Sequence, residues 1–295
     1  MSTQLETPSI RERLRSGMPV TERHMQLAGI STSVLEGGDG PPLVLLHGPG
    51  EFAEKWMRVL PDLVTSHRVV APDLPGHGAS EAGEAPLDTD RVLDWLGELI
   101  DRTCVTPPTI VGHLLGGSIA ARFAAERSDR ISRLVLVNTF GLGPFRPSPG
   151  FALALIGFLA RPSERADDRL WRRCTFDLDG VRDEMGESWE LFAAYHLDRA
   201  RTPSCKAALR ALMKQVGVWA IPPTDLLRIV APTTLIWGRH NPAVRLRVAE
   251  AASTRYGWPL VVIEDAADDP AIEQPAEFVT ALRDVLGRTS PEARP

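Results

Sequence analysis

The chain of 295 residues has little of several features that would define a protein class. Its three cysteines are scattered and form no Cys-x-x-Cys pair, which argues against a disulfide framework or a thiolate metal site. The net charge is −5 and no basic block occurs, so a nucleic-acid surface is not expected. The longest apolar run, residues 151–160, is too short to span a bilayer, and the first residues lack the apolar core of a signal peptide. These absences predict a soluble, cytoplasmic protein away from membranes, with loose polar ends near residues 1–20 and 288–295.

A phosphate-binding loop is also missing. The glycine-rich segment GHLLGG, residues 112–117, lacks both the P-loop lysine and the dinucleotide glycine spacing. The sequence has no metal cluster and no flavin signature, so we expect neither a cofactor nor a metal.

Short runs of branched apolar residues recur along the chain and predict strands. They are residues 42–48, 68–73, 109–113, 133–138, 233–238 and 260–265. Nearly continuous apolar character is typical of strands that are covered on both faces, as in a parallel sheet. Between two of the runs, Val92, Leu96 and Leu99 share one face at helical spacing. This alternation predicts an α/β fold with a mostly parallel sheet flanked by helices.

The alternation stops between residues 142 and 228, where no strong strand is predicted. The segment is rich in helix formers and aromatics, and an unstructured loop of that length is uncommon inside a compact domain. We therefore predict a helical cap over 142–228, inserted between a first core part (1–141) and a second core part (229–295). His196 lies in this segment, and the sequence leaves open whether it faces a cavity or a helix surface.

Five motifs follow the predicted strands in a fixed order. They are HGPG (47–50), APDLPGHGAS (71–80), GHLLG (112–116), WGRHNPAV (237–244) and IEDAADDPAIEQP (263–275). In this order and spacing the chain resembles the α/β-hydrolase superfamily, particularly its capped branch of small-molecule esterases, C–C hydrolases and epoxide-hydrolase-like enzymes. The resemblance implies the α/β-hydrolase fold with an inserted helical cap.

The resemblance also identifies what this chain lacks. In the family the third motif carries the nucleophile, the fourth an acid and the fifth a histidine; the matching residues here are Leu114, Asn241 and Asp268. Covalent catalysis needs a nucleophile, a base and a group that orients the base. Serine-hydrolase activity is therefore not carried over to this sequence. Ser118 is expected to pack on the following helix and not to replace the nucleophile.

Other motif residues offer binding groups. The family's oxyanion hole implies the Leu115 N–H and one N–H from the first loop, but Pro49 has none to donate, so Gly50 would have to substitute. His113 is expected to pack beneath the turn. His240 is expected either to reach the pocket rim or to lie exposed.

The replaced triad positions suggest a different chemistry. A carboxyl group beneath an apolar cap has its pKa raised by desolvation, so Asp268 is the candidate for proton transfer. The Asn241 amide would donate a hydrogen bond to it, and Leu114 would form an apolar floor on a strained turn. Asp269 is expected to face solvent or cap the next element, and Glu273 to lie in the first turn of the last helix. The alternative is that the same changes arose by drift after loss of function.

The sequence leaves three functions open. The first is a cofactor-independent enzyme of specialised biosynthesis that cyclises, isomerises or dehydrates a largely apolar small molecule, or eliminates a group from it, by non-covalent acid/base chemistry. The second is a catalytically silent protein that binds such a molecule. The third is a hydrolase in which Asp268 activates water directly. A homodimer is left open.

Overall fold

The computed structural model describes residues 8–287 and contains one sheet of eight strands. The strands are Thr21–Leu27 (β1), Ile30–Gly37 (β2), Pro42–Leu46 (β3), Arg68–Pro72 (β4), Thr109–His113 (β5), Arg133–Val137 (β6), Thr233–Gly238 (β7) and Leu260–Ile263 (β8). Their order across the sheet is β1-β2-β4-β3-β5-β6-β7-β8. The β1–β2 and β2–β4 pairs are antiparallel, and the other five pairs are parallel.

Helices cover both faces of this sheet. They are Ile10–Arg15 (α1), Leu60–Leu63 (α2), Thr89–Thr103 (α3), Leu114–Glu126 (α4), Pro149–Ala160 (α5), Glu164–Cys174 (α6), Leu178–Met185 (α7), Glu187–Arg201 (α8), Pro203–Leu212 (α9), Pro223–Leu226 (α10), Leu246–Tyr256 (α11), Pro270–Glu273 (α12) and Pro275–Gly287 (α13). Short 3₁₀ helices occupy Ala53–Trp56 and Ser128–Arg130, and a π-helix occupies Met213–Gly217. None of the described helices combines the length and the apolar composition needed to cross a membrane.

The α/β-hydrolase fold expected from the motifs is confirmed. The six apolar runs form β3 to β8, and α5 to α10 all lie between β6 and β7. The exact division into core and cap stays a prediction. β1 and β2 were not predicted from the sequence. β1 is an edge strand in which only Met25 and Leu27 have buried side chains, so its hydrophobic pattern is weak.

Alternate residues of the central strands enter two separate cores. In β3, Val44 and Leu46 belong to the core shared with α3, α4 and the helices between β6 and β7. Leu43 and Leu45 point the other way, into the core shared with α13. A strand buried on both faces explains the nearly continuous apolar runs of the sequence.

The expectation of a loose segment over residues 1–20 is wrong for α1. Ser9 and Glu12 form a capping box at its start. Arg11 is buried, with Nε 2.6 Å from Glu54 Oε1 and Nη2 2.8 Å from Asp73 Oδ2. These ion pairs fix the helix to the core. Residues 1–7 and 288–295 of the predicted loose ends lie outside the described residues.

Candidate active site

The turn between β5 and α4 keeps the geometry of a nucleophile-bearing elbow although its apex is leucine. Leu114 has φ +44°, in the left-handed region that L-residues rarely adopt. A Cβ at Gly112 would lie 2.5 Å from Gly117 Cα, and one at Gly116 would lie 2.4 Å from the Leu46 carbonyl oxygen. The two glycines are therefore required for the sharp turn. The strained backbone at Leu114 typically costs about 1–3 kcal/mol.

A cavity of about 310 Å³ lies beside this turn. Its lining is mainly apolar and includes Leu114 together with Phe151, Phe158, Leu170, Leu209 and Met213 from α5, α6, α9 and the π-helix. The volume is at the lower end of that of small-molecule sites. Two carboxyl groups, those of Glu51 and Asp268, also line it.

The residues predicted from the sequence divide into two sets. Those that line the cavity are Leu114, Asp268, Pro49 and Gly50; those outside its lining are Asn241, Leu115, His113 and His240. His196, left open by the sequence, lines the cavity, with Nδ1 2.9 Å from Asp167 Oδ1 and its ring stacked on Phe158.

Backbone hydrogen bonds hold Asp268 in place after β8. Its N–H donates to the Cys174 carbonyl (2.8 Å), and its own carbonyl accepts from Asn138 Nδ2 and His113 Nε2, both at 2.7 Å. The carboxyl group is much less satisfied, because Oδ1 is buried and has no hydrogen-bond partner within residues 8–287. Burial raises the pKa of Asp268 to about 7, and the nearby carboxylates of Glu51 and Asp269 add to the shift. Asp268 therefore exists in both protonation states near neutral pH.

Beneath the turn, Glu51, Lys55, His113 and Asp269 form what we call the buried ion network. Lys55 Nζ lies 2.9 Å from His113 Nδ1, 3.0 Å from Asp269 Oδ2 and 3.7 Å from Glu51 Oε2, and its side chain is fully buried. Desolvation raises the pKa of Glu51, but the charges of Lys55 and His113 outweigh it and the net pKa is lowered. Burial and Lys55 lower the pKa of His113, but the Glu51 and Asp269 carboxylates make the net shift upward. Glu51 is thus ionised at neutral pH, in contrast to Asp268.

The same region contains a candidate set of metal ligands. One donor atom each from Glu51, His113 and Asp268 lies within 4.8 Å of the others. Both ring nitrogens of His113 already contact other groups, namely Lys55 Nζ and the Asp268 carbonyl. The ammonium group of Lys55 also places positive charge where a divalent cation would bind, so the arrangement disfavours a metal.

The expected hydrogen bond from Asn241 to Asp268 is not formed. Asn241 Oδ1 accepts from the N–H groups of Ala243 (2.8 Å) and Val244 (2.7 Å), which fixes the orientation of the side chain. Asn241 Nδ2 is left buried, without a partner among the described residues. The Asn241 side chain thus stabilises its own loop, as short amide side chains commonly do.

Several other expectations can be compared with the structure. His240 is exposed, one of the two alternatives predicted for it; its ring stacks on Phe176 at 4.7 Å, and it is not among the residues that line the cavity. Leu115 has a buried side chain, but as the second residue of α4 its N–H has no acceptor within the helix. Ser118 lies on α4 and donates to the Val216 carbonyl, in agreement with a packing role.

The expectations for Asp269 and Glu273 need correction. Asp269 does not face solvent: it is 5% exposed and pairs with Lys55. It occupies the N-cap position of α12 without a capping hydrogen bond from its side chain. Glu273 ends α12, not the last helix, and accepts from the N–H groups of Ala267 (3.1 Å), Asp269 (2.9 Å) and Phe176 (2.7 Å). Burial raises the pKa of Glu273 to about 7. Glu273 therefore holds the loop that carries Asp268.

Sequence reasoning missed Glu51 and Lys55. The signal was present, because the two residues stand four apart directly after the HGPG motif and Lys55 lies within the 3₁₀ helix Ala53–Trp56. An i,i+4 pair of opposite charges normally indicates a solvated helix face. Here the pair is buried because His113 and Asp269 approach it from other parts of the chain.

Fold, elbow and cavity together define an α/β-hydrolase. The chain matches the alpha/beta hydrolase family over residues 43–281 and belongs to this family. It is 34% identical over 173 residues to 2-hydroxymuconate semialdehyde hydrolase of Pseudomonas sp., covering 57% of this chain and 60% of that protein. It is 29% identical over 269 residues to pimeloyl-[acyl-carrier protein] methyl ester esterase of Aeromonas hydrophila, covering 88% of this chain and 100% of the esterase.

The likeness extends to solved structures. The 2-hydroxy-6-oxo-6-phenylhexa-2,4-dienoate hydrolase of Rhodococcus sp. superposes with a TM-score of 0.79 at 23% identity, covering 91% of this chain and 99% of that one. At this identity the superposition shows the fold. The two named sequence relatives are hydrolases, so the comparisons support an enzyme of the α/β-hydrolase kind.

Proposed function

We propose that this protein is a cofactor-independent enzyme that transfers a proton to or from a largely apolar small molecule without a covalent intermediate. Cyclisation, isomerisation, elimination and dehydration belong to this class of reaction. The observation that carries the proposal is the Asp268 carboxyl group, which lines an apolar cavity with Oδ1 unpartnered among the described residues and a pKa of about 7.

The contrast between two carboxyl groups supports this role. A general acid or base works best when its pKa lies near the working pH, and environments that separate the pKa values of neighbouring groups identify such residues. Lys55 and His113 hold Glu51 ionised. The negative charge of Glu51 in turn favours the protonated form of Asp268. In this proposal Asp268 exchanges the proton; burial raises its pKa, and the carboxylates of Glu51 and Asp269 in the buried ion network raise it further.

Leu114 supports a reaction without an acyl intermediate. The apex of the elbow presents hydrocarbon where the family carries its nucleophile. Two cysteines line the cavity, but burial raises the pKa of both Cys174 and Cys205, so the reactive thiolate is disfavoured. In our proposal Leu114 serves as an apolar surface under the substrate.

Direct hydrolysis is the second candidate, and the names of the relatives favour it. In that reaction ionised Asp268 would take a proton from water. The N–H groups of Leu115 and of Gly50, which lines the cavity with φ +76°, would be the donors to a developing oxyanion.

The test follows carbon-bound protons directly. Wild-type protein is incubated with a panel of apolar ketones in deuterated water, and NMR measures exchange of the protons beside the carbonyl group. We expect exchange that rises with pH through about 7, because the ionised form of Asp268 is the base. Asp268→Asn should abolish it, and Asp265→Asn, an exposed acid in the same loop, should leave it unchanged.

Four outcomes would count against the proposal. Equal exchange by wild type and Asp268→Asn would remove the role of Asp268. A covalent adduct with a serine-directed phosphonate would restore a covalent mechanism. Thermal stabilisation by the ketones with no exchange would identify a binding protein. Incorporation of labelled solvent oxygen into products would select the hydrolytic candidate.

A further inference from the structure

One wall of the cavity is basic. Arg199 on α8 and Lys206 and Arg210 on α9 contribute to a lining that is otherwise mostly apolar. Lys206 and Arg210 stand four residues apart, so they share one face of α9. Leu209, beside them in α9, lines the same cavity. The cationic groups are thus part of the cavity and not only of the outer surface.

The three cations differ in how they are paired. Arg199 already has partners: its guanidinium group donates to the Asp198 carboxylate and lies 5.4 Å from the centre of the Tyr195 ring. Lys206 and Arg210 form no hydrogen bond or ion pair through their side chains with any residue in the described part of the chain. The acids in the cavity lining do not neutralise them either, since Glu51 is paired with Lys55.

Positive and negative side chains lie at opposite ends of the cavity. Arg210 is exposed and Lys206 half-buried, whereas Leu114 at the elbow is 3% exposed. The basic pair therefore lies toward solvent and the carboxyl groups toward the interior. Ionised Glu51 at the inner end repels a second negative charge. An anionic group that enters this cavity is consequently favoured at the α9 end and disfavoured beside Asp268.

We infer that the substrate is an amphipathic organic anion whose carboxylate or phosphate group binds Lys206 and Arg210. Its apolar body extends along the cavity and brings an uncharged carbon to Asp268. This inference deepens the proposed function and rests on it for the role of Asp268. The two cations fix the orientation of the molecule and discriminate against neutral analogues.

The experiment compares three probes of equal chain length: decanoate, decyl phosphate and decan-1-ol. Titration calorimetry on the full chain measures each affinity at low and at physiological salt. We expect at least one anion to bind wild type about tenfold or more tightly than the alcohol, with the difference shrinking as salt screens the charges. Whichever anion binds more tightly identifies the head group.

The variant Lys206→Gln/Arg210→Gln should lose this preference and keep its affinity for decan-1-ol. A matched control is Arg165→Gln/Arg169→Gln on α6, because those arginines are exposed, also stand four residues apart and lie outside the cavity lining. The control should bind like wild type. Similar circular dichroism of both variants shows that the fold is retained.

Two results would overturn the inference. The first is equal affinity of wild type for anions and alcohol at low salt. The second is an unchanged preference in Lys206→Gln/Arg210→Gln. Asp268→Asn separates this inference from the proposed function, since it should still bind anions. Anion preference in a wild type that exchanges no carbon-bound proton would refute the proposed function and leave the anion site standing.

Discussion

Replacing Asp268 by asparagine should change how folding stability depends on pH. The carboxyl group has a pKa of about 7 in the folded chain, against 3.8 as its ordinary value. Between these values the folded state keeps a proton that the unfolded state has lost. The stabilisation from this proton is complete below the unfolded pKa and is lost as the pH rises through about 7.

The magnitude follows from the size of the shift. Each pH unit inside this interval changes the free energy of unfolding by about 1.4 kcal/mol. Between about pH 5 and pH 8 the upper limit is therefore roughly 2.7 kcal/mol, and access of water from the cavity reduces it to about 2 kcal/mol. Asparagine has nearly the same shape as aspartic acid and does not ionise. At this position the variant therefore loses no stability as the pH rises through about 7. The free energy of unfolding of Asp268→Asn, measured relative to wild type, should therefore rise by about 2 kcal/mol between about pH 5 and about pH 8.

Urea denaturation of both proteins across this pH range provides the measurement. Glu273 also has a raised pKa near 7, but it titrates in both chains and cancels in the difference. Asp265→Asn, at an exposed site, should differ from wild type by an amount that does not vary with pH. If the difference between Asp268→Asn and wild type is also flat with pH, the pKa of Asp268 is not raised and the argument for proton transfer fails.

Two further substitutions test the buried ion network and the elbow. Lys55→Met should reduce the free energy of unfolding by about 3–5 kcal/mol, because it leaves the Asp269 carboxylate buried without its ion-pair partner. The exposed control Lys214→Met should change it by less than about 0.5 kcal/mol, and a similarly small effect of Lys55→Met would contradict the network. Leu114→Gly should unfold at the same urea concentration as Leu114→Ala or a higher one, because φ is +44° there. An alanine variant that is more stable by the ordinary helical margin of about 1 kcal/mol would show that the turn is unstrained.

Most of the fold could be predicted from the sequence because the central strands are buried on both faces. Runs such as PLVLL in β3 and RLVLV in β6 are typical of strands in that environment, and the glycines at 112 and 116 marked the sharp turn. β1 escaped prediction because an edge strand with two buried side chains has a weak period-two pattern. α1 escaped prediction because it is short and polar and is held by tertiary ion pairs, although the Ser9–Glu12 capping box was a local signal of its start.

The sequence predicted where the candidate site lies, but it predicted few of the contacts between the residues there. Motif order predicted Leu114 and Asp268 as site residues, and both line one cavity. The partner of Asn241 could not be read from residue type, because an amide can equally serve its own loop. Lys55 and Asp269 are 214 positions apart along the sequence, and nothing local predicts that they meet. Long-range pairing of charges is the part of this site that the sequence does not predict.

The placement of Arg11 constrains the order in which the polypeptide can mature during translation. Its guanidinium group contacts Glu54 and Asp73 and lies 5.9 Å from the centre of the Tyr195 ring on α8. The ribosome delivers Arg11 more than a hundred residues before Tyr195, and chains generally begin to fold from the N-terminal side as they emerge. Arg11 can therefore pair with Glu54 and Asp73 early, whereas its contact with Tyr195 forms only after α8 has been made, and that contact joins the first helix of the chain to one synthesised much later.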